Sequence, residues 1–397
     1  MELRLALFWL LYMAGLGLVF PYQSLYFHEN AGLAGTQLGL VLGVRPLMGM
    51  LFQPLWGHLA DRSGSRAAVL GTIAVGGAAG YALVPLAEGF VPLLLAVAFS
   101  AAFVTSIIPT ATSVSMAALG AGASERFGRV RVWGTLGFLV LVVGFPPLLG
   151  RVQEARGMVA VPGGPSEPGL GLIFPIAAAF TLLAGLVSLR LPRARGLALR
   201  AGRGELRALL RHRPFRRVLA FAFSAHFFLQ APILLFPVLV RDRGGDLETL
   251  SRLWIPMLLL EIPLVFYSGA TLRRFGARSL LAIGVVADGV RWLACGLTDA
   301  LWILYGLQLL HGVVVAGLIV GIALYVEEVV PERLRSSGQG VVAMVGISLA
   351  AVLSSAVGGV LLERVGTSAP YVLGGAGALA LAAVLPVLLP RPSRPEV

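Results

Sequence analysis

The segment Gly57-His-Leu-Ala-Asp61-Arg62-Ser-Gly64-Ser-Arg66 decides the fold, because it is a short polar break between two long apolar stretches. These stretches, residues 38–60 and 67–86, contain a single charged side chain, Arg45. An apolar helix needs about 20 residues to cross the roughly 30 Å hydrocarbon core of a bilayer. Each stretch therefore predicts a transmembrane helix, and the polar segment predicts the turn between them.

The rest of the chain repeats this pattern. Of its 397 residues, 57% are hydrophobic and 13% are charged, whereas a soluble domain has about 25% charged residues. The single cysteine, Cys295, excludes an intramolecular disulfide and a cysteine-based metal site, and no cofactor is expected. The pattern predicts an all-α integral membrane protein with twelve transmembrane helices. The predicted spans are 5–27, 38–60, 67–86, 90–115, 132–149, 171–191, 218–240, 253–272, 279–297, 301–326, 337–362 and 369–389.

Charge gives the predicted orientation. All 31 basic residues are Arg and the formal net charge is +12, a balance that a nucleic-acid-binding protein could share. Here, however, Arg is confined almost entirely to the breaks between apolar stretches, and 23 of the 31 lie in alternate segments that include both chain ends. Short basic loops stay on the cytoplasmic side. We therefore predict a plasma-membrane protein with both termini cytoplasmic and no nucleic-acid partner.

Internal repetition predicts two equivalent halves. The opening segment recurs as Gly269-Ala-Thr-Leu-Arg273-Arg274-Phe-Gly276-Ala-Arg278, with four matching positions at a constant offset of 212. The longest basic break falls at mid-chain and divides six spans from six. A duplicated six-helix unit explains both observations. The predicted domains are 1–191 and 218–397, joined by a basic cytoplasmic linker, 192–217.

The segment Gly57-x-x-x-Asp61-Arg62-x-Gly64-x-Arg66 resembles the inner-loop signature of the major facilitator superfamily. The likeness is closer to its lactose permease and phenylpropionic acid permease branch. It rests on Arg126-Phe-Gly-Arg129-Val-Arg131-Val-Trp-Gly134, on Gly289-Val-Arg291-Trp292 and on Gln308-Leu-Leu-His311. The resemblance implies two six-helix bundles around a central cavity, alternating access and, commonly, proton symport.

The inner loops are predicted to form a conformational latch. Gly57 and Gly64 allow a close backbone approach and a tight turn, and Asp61 can pair with an Arg or a helix N-terminus across the two bundles. A solvated basic loop that only fixes topology is the alternative. The predicted latch residues are Gly57, Asp61, Arg62, Gly64, Arg66, Arg129, Arg131, Arg274 and Arg278.

Ionisable side chains within the spans are the candidates for proton coupling, because a charge at mid-membrane costs about 2.5–3.5 kcal/mol on insertion scales. Glu261 has no basic residue within a helical turn, so it is either a proton carrier or permanently paired with Arg45 or Arg291. Asp288 lies three residues before Arg291 and could simply neutralise it. The predicted proton-coupling residues are Glu261, Asp288 and His311, although a lone His such as His311 can also be a packing residue.

A second set is predicted to bind substrate. The resemblance aligns Arg291 with an Arg that acts together with the helix-ten His in lactose permease. Aromatic, amide and guanidinium groups around one cavity suit a small aromatic or carboxylated solute, and also a neutral nucleoside. Galactoside is not expected, since span 90–115 contains no charge and Val314 replaces a glutamate of lactose permease. The predicted substrate-binding residues are Tyr22, Gln23, Tyr26, Arg45, His226, Gln230, Arg291 and Gln308.

Other chemistry is missing from the sequence. Without Lys there is no Gly-Lys-Ser/Thr nucleotide loop, and neither His-Glu-x-x-His nor Gly-x-Ser-x-Gly occurs. We predict a monomeric, non-enzymatic secondary transporter whose partners are a small solute, protons and the lipid bilayer. Efflux of drugs or metabolites by proton antiport is the alternative within transporters. A channel or an intramembrane enzyme is the alternative from another class, but no ring of like pore residues is visible.

Overall fold

The computed structural model describes residues 1–120, 122–161, 164–192, 203–266 and 276–389, and these ranges contain helices and no strand. The described helices fall into two compact units. The first contains α1 (Glu2–Leu25), α2 (Gly35–Arg62), α3 (Arg66–Leu83), α4 (Phe90–Val104), α5 (Ile107–Leu119), α6 (Ala123–Arg156) and α7 (Ile173–Ser188).

The second unit begins within the predicted linker. It contains α8 (Arg203–Arg211), α9 (Arg213–Asp242), α10 (Leu247–Phe266), α11 (Ala277–Leu297), α12 (Leu301–Gln308), α13 (Leu310–Val314), α14 (Gly321–Val329), α15 (Arg335–Val341), α16 (Ala350–Arg364) and α17 (Ala369–Leu388). Residues Asp246–Ser251, around the first turn of α10, group with the first unit. Two π-helical segments, Val315–Val320 and Val342–Leu349, connect α13 to α14 and α15 to α16.

The membrane-spanning pattern is confirmed. Eleven helical segments of the described residues are long and apolar enough to cross a bilayer. The eighth predicted span, 253–272, corresponds to α10, a 20-residue helix, and the rest of that span lies outside the described residues. The fold is all-helical with eleven to twelve helices of membrane length.

The fourth predicted span is a bent pair of helices, α4 and α5. The break falls at Thr105 and Ser106, and the Thr105 hydroxyl donates to the carbonyl oxygen of Ala101 at 2.7 Å. Such bonding to the carbonyl four residues earlier is a known cause of helix bending. Together the two helices form one 30-residue segment, Phe90–Leu119.

Helix α6 is longer at both ends than the predicted span 132–149, and it runs through Pro146. A proline inside a helix leaves the carbonyl four residues earlier without its donor. Here the hydroxyl of Tyr22 donates to that carbonyl, on Val142, at 2.6 Å. A neighbouring helix therefore satisfies the backbone group that the proline frees, as the membrane interior requires.

Helices α1 and α6 pack through small residues. A Cβ atom added to Gly17 would lie 2.5 Å from the Phe138 carbonyl oxygen, and one added to Gly137 would collide with the backbone of Leu10. Glycine at such positions lets two membrane helices approach backbone to backbone. This contact fixes the position of α1, which carries Gln23 of the first-unit site described below.

Candidate functional site

The second unit contains a buried polar cluster around Arg291 on α11, whose side chain is fully buried. Its Nε and Nη2 atoms donate to the Gln308 Oε1 atom at 3.2 and 2.5 Å. Its Nη1 atom lies 3.0 Å from the Nδ1 atom of His311. The guanidinium carbon also lies 4.0 Å from the ring centroid of Trp292. Arg291 is therefore held in one orientation by three neighbours.

Gln308 and His311 lie three residues apart in the tenth predicted span and contact the same guanidinium. Helix α12 ends at Gln308, α13 begins at Leu310, and the π-helical segment follows four residues after His311. Breaks and π-helical turns within helices are frequent at functional sites. The sequence predicted both side chains but not the break between them.

The contact with Arg291 fixes the tautomer of His311. A guanidinium can only donate hydrogen bonds, so the Nδ1 atom of His311 must accept and carries no proton. The ring proton therefore belongs to Nε2, which lies 3.5 Å from the Oε2 atom of Glu261. In this arrangement His311 is neutral, and protonating it at Nδ1 would require the Arg291 contact to break.

Glu261 on α10 completes the cluster, with its side chain 30% exposed against 11% for His311. The helices meet closely here, since a Cβ atom added to Gly312 would lie 2.6 Å from the backbone nitrogen of Glu261. Glycine at 312 thus brings the backbone carrying His311 against the backbone carrying Glu261. Among the second unit's cluster residues, Glu261 contacts His311.

Asp288 lies one helical turn before Arg291 and is fully buried. Neither of its carboxylate oxygens makes a hydrogen bond to another described residue. It contributes a second carboxyl group to the environment of a single guanidinium. With both carboxyls ionised and His311 neutral, these four side chains carry a net charge of −1.

The first unit contains a different polar site, a partly open cavity around Arg45, with about 300 Å³ of space between its walls when the part open to solvent is included. Its walls are mostly apolar and include Phe27 and Phe174, whose rings are stacked with centroids 5.9 Å apart. Four polar side chains also line it. They are Gln23, Arg45, Tyr81 and Ser100.

None of these four polar side chains forms a hydrogen bond or an ion pair with another described residue. The Oγ atom of Ser100 is buried and lacks a hydrogen-bond partner. Gln23, Arg45 and Tyr81 make no side-chain hydrogen bond or ion pair within the described part of the chain. Tyr81 and Ser100 were not among the predicted site residues. Span 90–115 contains several other Ser and Thr side chains and span 67–86 also contains Thr72, so no local signal distinguishes Tyr81 or Ser100.

Other predicted substrate residues have local partners. Tyr22 is fully buried and bonded to Val142, and the ring of Tyr26 packs edge-on against Phe174 at 4.9 Å. The Nδ1 atom of His226 lies 2.9 Å from the Ala222 carbonyl oxygen. Gln230 follows one turn later on α9 and is half-buried. These side chains do not line the Arg45 cavity.

Two of the predicted latch residues, Asp61 and Arg66, are paired with each other. Arg66 donates to the Oδ1 atom of Asp61 at 2.6 Å and to the Ser113 hydroxyl at 2.8 Å. Gly64 adopts a left-handed φ of 68°, as a tight turn requires. Gly57 is helical, with open space beside it.

The remaining Arg residues of the latch set differ in environment. Arg62 and Arg129 are exposed. The guanidinium of Arg131 lies 4.7 Å from the Trp9 ring, and Arg278 donates to the Pro386 carbonyl at 3.4 Å. Arg129 and Arg131 lie within α6 rather than in a loop, because α6 starts at Ala123 and Arg126 is anchored to Glu2 at 2.7 Å. Arg274 lies outside the described residues.

Metal chemistry has no visible site in the part of the chain that the structure describes, where no group of three or more His, Cys, Asp or Glu is placed to hold an ion. The groups that remain are hydrogen-bonding and titratable. Such an arrangement can bind a polar solute and exchange protons.

Long apolar helices that carry buried polar sites define a multi-pass membrane transporter, and comparisons with known proteins agree. The model of the MFS_1 like family matches residues 2–373. The chain belongs to this family of major facilitator transporters, and it is a transporter rather than an enzyme.

The relatives share most of the chain. A maltose permease of Geobacillus stearothermophilus is 29% identical over 371 residues, covering 92% of this chain and 89% of that protein. An uncharacterized transporter of Bacillus subtilis (strain 168) is 25% identical over 370 residues, covering 93% and 88%.

Solved structures show the same fold. The nucleoside transporter NupG superposes with a TM-score of 0.83 at 17% identity, covering 98% of this chain and 99% of that one. A D-xylose-proton symporter superposes with a TM-score of 0.72 at 15% identity, covering 99% and 98%.

Proposed function

We propose that the chain is a proton-coupled secondary transporter that moves a small organic solute by alternating access of two domains, 1–191 and 218–397. The observation that carries this proposal is the buried cluster of Arg291, Gln308, His311 and Glu261. Charged groups are costly inside a membrane and mark ion or proton pathways when they occur there. The relatives include a maltose permease and the structures of similar fold include a proton symporter, which supports solute movement coupled to protons.

Charge balance supports a single exchangeable proton. The cluster contains one guanidinium and two carboxyls, Glu261 and Asp288, so with His311 neutral it has no net charge when one carboxyl is protonated. Burying a net charge in a low-dielectric interior is expensive. Glu261 is the partly exposed carboxyl, and it is the group that we assign to proton exchange.

His311 links that proton to Arg291. Its Nε2–H faces Glu261 while its Nδ1 accepts from Arg291. A proton passed to the imidazole would displace the guanidinium, because both Nδ1 and Nε2 would then be donors. Protonation and the geometry of the cluster are therefore coupled through one ring.

The proposal keeps the likeness to the lactose permease and phenylpropionic acid permease branch, in which Arg291 and His311 occupy matching positions. Because Val314 replaces a glutamate of lactose permease, we assign the proton to a carboxyl elsewhere in the cluster. Glu261 lies next to His311 in space, although 50 residues earlier in the chain. It can serve the same purpose from a neighbouring helix.

We also propose a monomer in the plasma membrane with both termini cytoplasmic, and an inner latch that includes Asp61. Cysteines at Ser63 and Ala34, in a Cys295→Ser background, test the topology. Membrane-impermeant thiol reagent should label position 63 only in inverted vesicles and position 34 in intact cells. The reverse pattern would contradict the orientation.

Proteoliposomes that contain a trapped pH-sensitive dye test the central proposal. Addition of maltose, uridine or phenylacetate to vesicles that contain the full chain should cause proton entry with at least one solute, above the level of protein-free vesicles. Glu261→Gln should abolish the proton entry. Solute uptake without proton movement would show a transporter that is not proton-coupled.

A further inference from the structure

We propose that the Arg45 cavity of the first unit binds the carboxylate of an organic monoanion, so that the transported solute is a small organic acid. This inference rests on the proposed function and deepens it by naming the substrate class. It is carried by the state of the four polar side chains in the cavity. Each of them lacks a hydrogen-bond or ion-pair partner among the described residues, although each lies in a membrane-spanning helix.

The charge of Arg45 is the first step. It lies in the middle of α2, whose bounds are Gly35 and Arg62. Asp61 and Glu2, which stand near helix ends, are already paired with Arg66 and Arg126. No carboxylate of the described residues forms an ion pair with Arg45. A guanidinium held at this depth costs several kcal/mol on some scales, so its retention calls for a compensating anion, which the described residues of the first unit do not provide.

Neighbouring polar groups show where that anion would lie. Gln23 on α1 and Tyr81 on α3 line the same cavity as Arg45, and the buried hydroxyl of Ser100 on α4 has no hydrogen-bond partner. Buried polar groups without partners are rare in folded proteins. Ser100 is such a group, and together with Gln23, Arg45 and Tyr81, each from a different helix, it provides a donor set for oxygen atoms of a ligand.

The charge and the apolar walls of the site indicate the chemical class of the ligand. A guanidinium forms two parallel hydrogen bonds with a planar carboxylate. A single positive side chain balances one negative charge, whereas a phosphate monoester carries about −1.5 to −2. The other walls are apolar, with Phe27 and Phe174 among them. They suit the hydrocarbon or aromatic body of an organic acid better than the many hydroxyl groups of a disaccharide.

Binding to the purified full-length chain tests the assignment directly. Ligands are offered in pairs that differ only in charge: phenylacetate with phenylacetamide, benzoate with benzamide, and hexanoate with hexanamide. Affinity is measured by thermal stabilisation and by isothermal calorimetry. We expect at least one acid to bind about tenfold or more tightly than its amide, as a charge-assisted contact predicts.

Two variants separate the site from general charge effects. Arg45→Gln should abolish the preference for the acid, while Arg151→Gln, at an exposed position of the same unit, should keep it. Acids that bind no better than their amides, or an undiminished preference in Arg45→Gln, would overturn the inference. Proton entry driven by maltose or uridine alone would also overturn it while leaving the proposed transport function intact.

Discussion

Two arginines lie within membrane spans of this protein, and they are treated in opposite ways. Arg291 is fully buried and is held by Gln308, His311 and the Trp292 ring, with two carboxyls nearby. Arg45 lines an open cavity and has no partner among the described side chains. An arginine within a span therefore has internal hydrogen-bond partners in the second unit and none among the described residues in the first.

The difference distinguishes two functions of membrane charges. A charge with internal partners contributes to the stability of the folded protein, and its removal leaves those partners without a counter-charge or a hydrogen bond. A charge without internal partners destabilises the folded state, and we infer that it is retained because it binds a ligand. Stability and transport measurements should therefore separate the two arginines.

The largest expected effect is a difference in the free energy of unfolding between variants of Arg291 and Arg45. Arg291→Gln removes the guanidinium next to the buried carboxyl of Asp288, which should destabilise the protein by about 3–5 kcal/mol. Arg45→Gln strands no partner and should leave stability unchanged or slightly raised. Unfolding of both variants in detergent, followed by tryptophan fluorescence, measures the difference. Adding Asp288→Asn to Arg291→Gln should recover part of the loss, and equal destabilisation by the two single variants would remove the distinction.

A second prediction concerns the helix packing beside the Arg291 cluster. Gly312→Ala places a methyl group against the backbone of Glu261, and such overpacking typically costs about 1–3 kcal/mol. The helices should separate and weaken the contact between His311 and Glu261. Gly306, in the same span but with open space beside it, provides the matched control, and Gly306→Ala should fold normally. If the two variants unfold at the same temperature, close approach at Gly312 does not matter.

Coupling should fail without loss of stability in Glu261→Gln, which keeps size and hydrogen bonding but removes ionisation. A proton symporter can concentrate solute about tenfold per pH unit of gradient, or 1.36 kcal/mol. We expect the variant to exchange solute across vesicles at equilibrium but to accumulate none. Glu154→Gln, at an exposed position, should behave like the wild type. Normal accumulation in Glu261→Gln would move the proton to Asp288 or His311.

The smallest effect is expected outside both sites, at Asp61. Its ion pair with Arg66 is partly exposed, and pairs of this kind contribute about 0.2–1 kcal/mol. Asp61→Asn should express normally and slow transport a few-fold by shifting the balance between inward-open and outward-open states. Thiol labelling of cysteines introduced along the cavity-lining helices reports that balance. Unchanged transport and labelling would reduce the segment 57–66 to a topology signal.

Much of this comparison was predictable, because long apolar stretches make each charged residue conspicuous. Arg45, Arg291, Glu261 and Asp288 could be found by that rule alone. Which of them are paired could not, since pairing depends on how helices distant in sequence are brought together. Glu261 meets His311 because Gly312 lets two backbones touch, and no local pattern announces that contact.

Bends and proline compensation were also beyond the sequence. The predicted span 132–149 ends soon after Pro146, yet α6 continues to Arg156, and Tyr22 supplies the hydrogen bond that the proline removes. Tyr22 was predicted as a substrate ligand from its type and position. Its buried hydroxyl instead has a partner on α6, which only the packed structure shows.

The charge count of the two sites has a consequence for energetics. Without ligands, Arg45 contributes +1 and the cluster with both carboxyls ionised contributes −1. With an organic anion bound at one site and a proton at the other, each site is neutral. Under the proposed mechanism the embedded charge therefore sums to zero on both the loaded and the empty journey. A membrane voltage, worth about 2.3 kcal/mol per 100 mV for each charge moved, would do no work on this carrier, and the pH difference and the solute gradient would be its whole driving force.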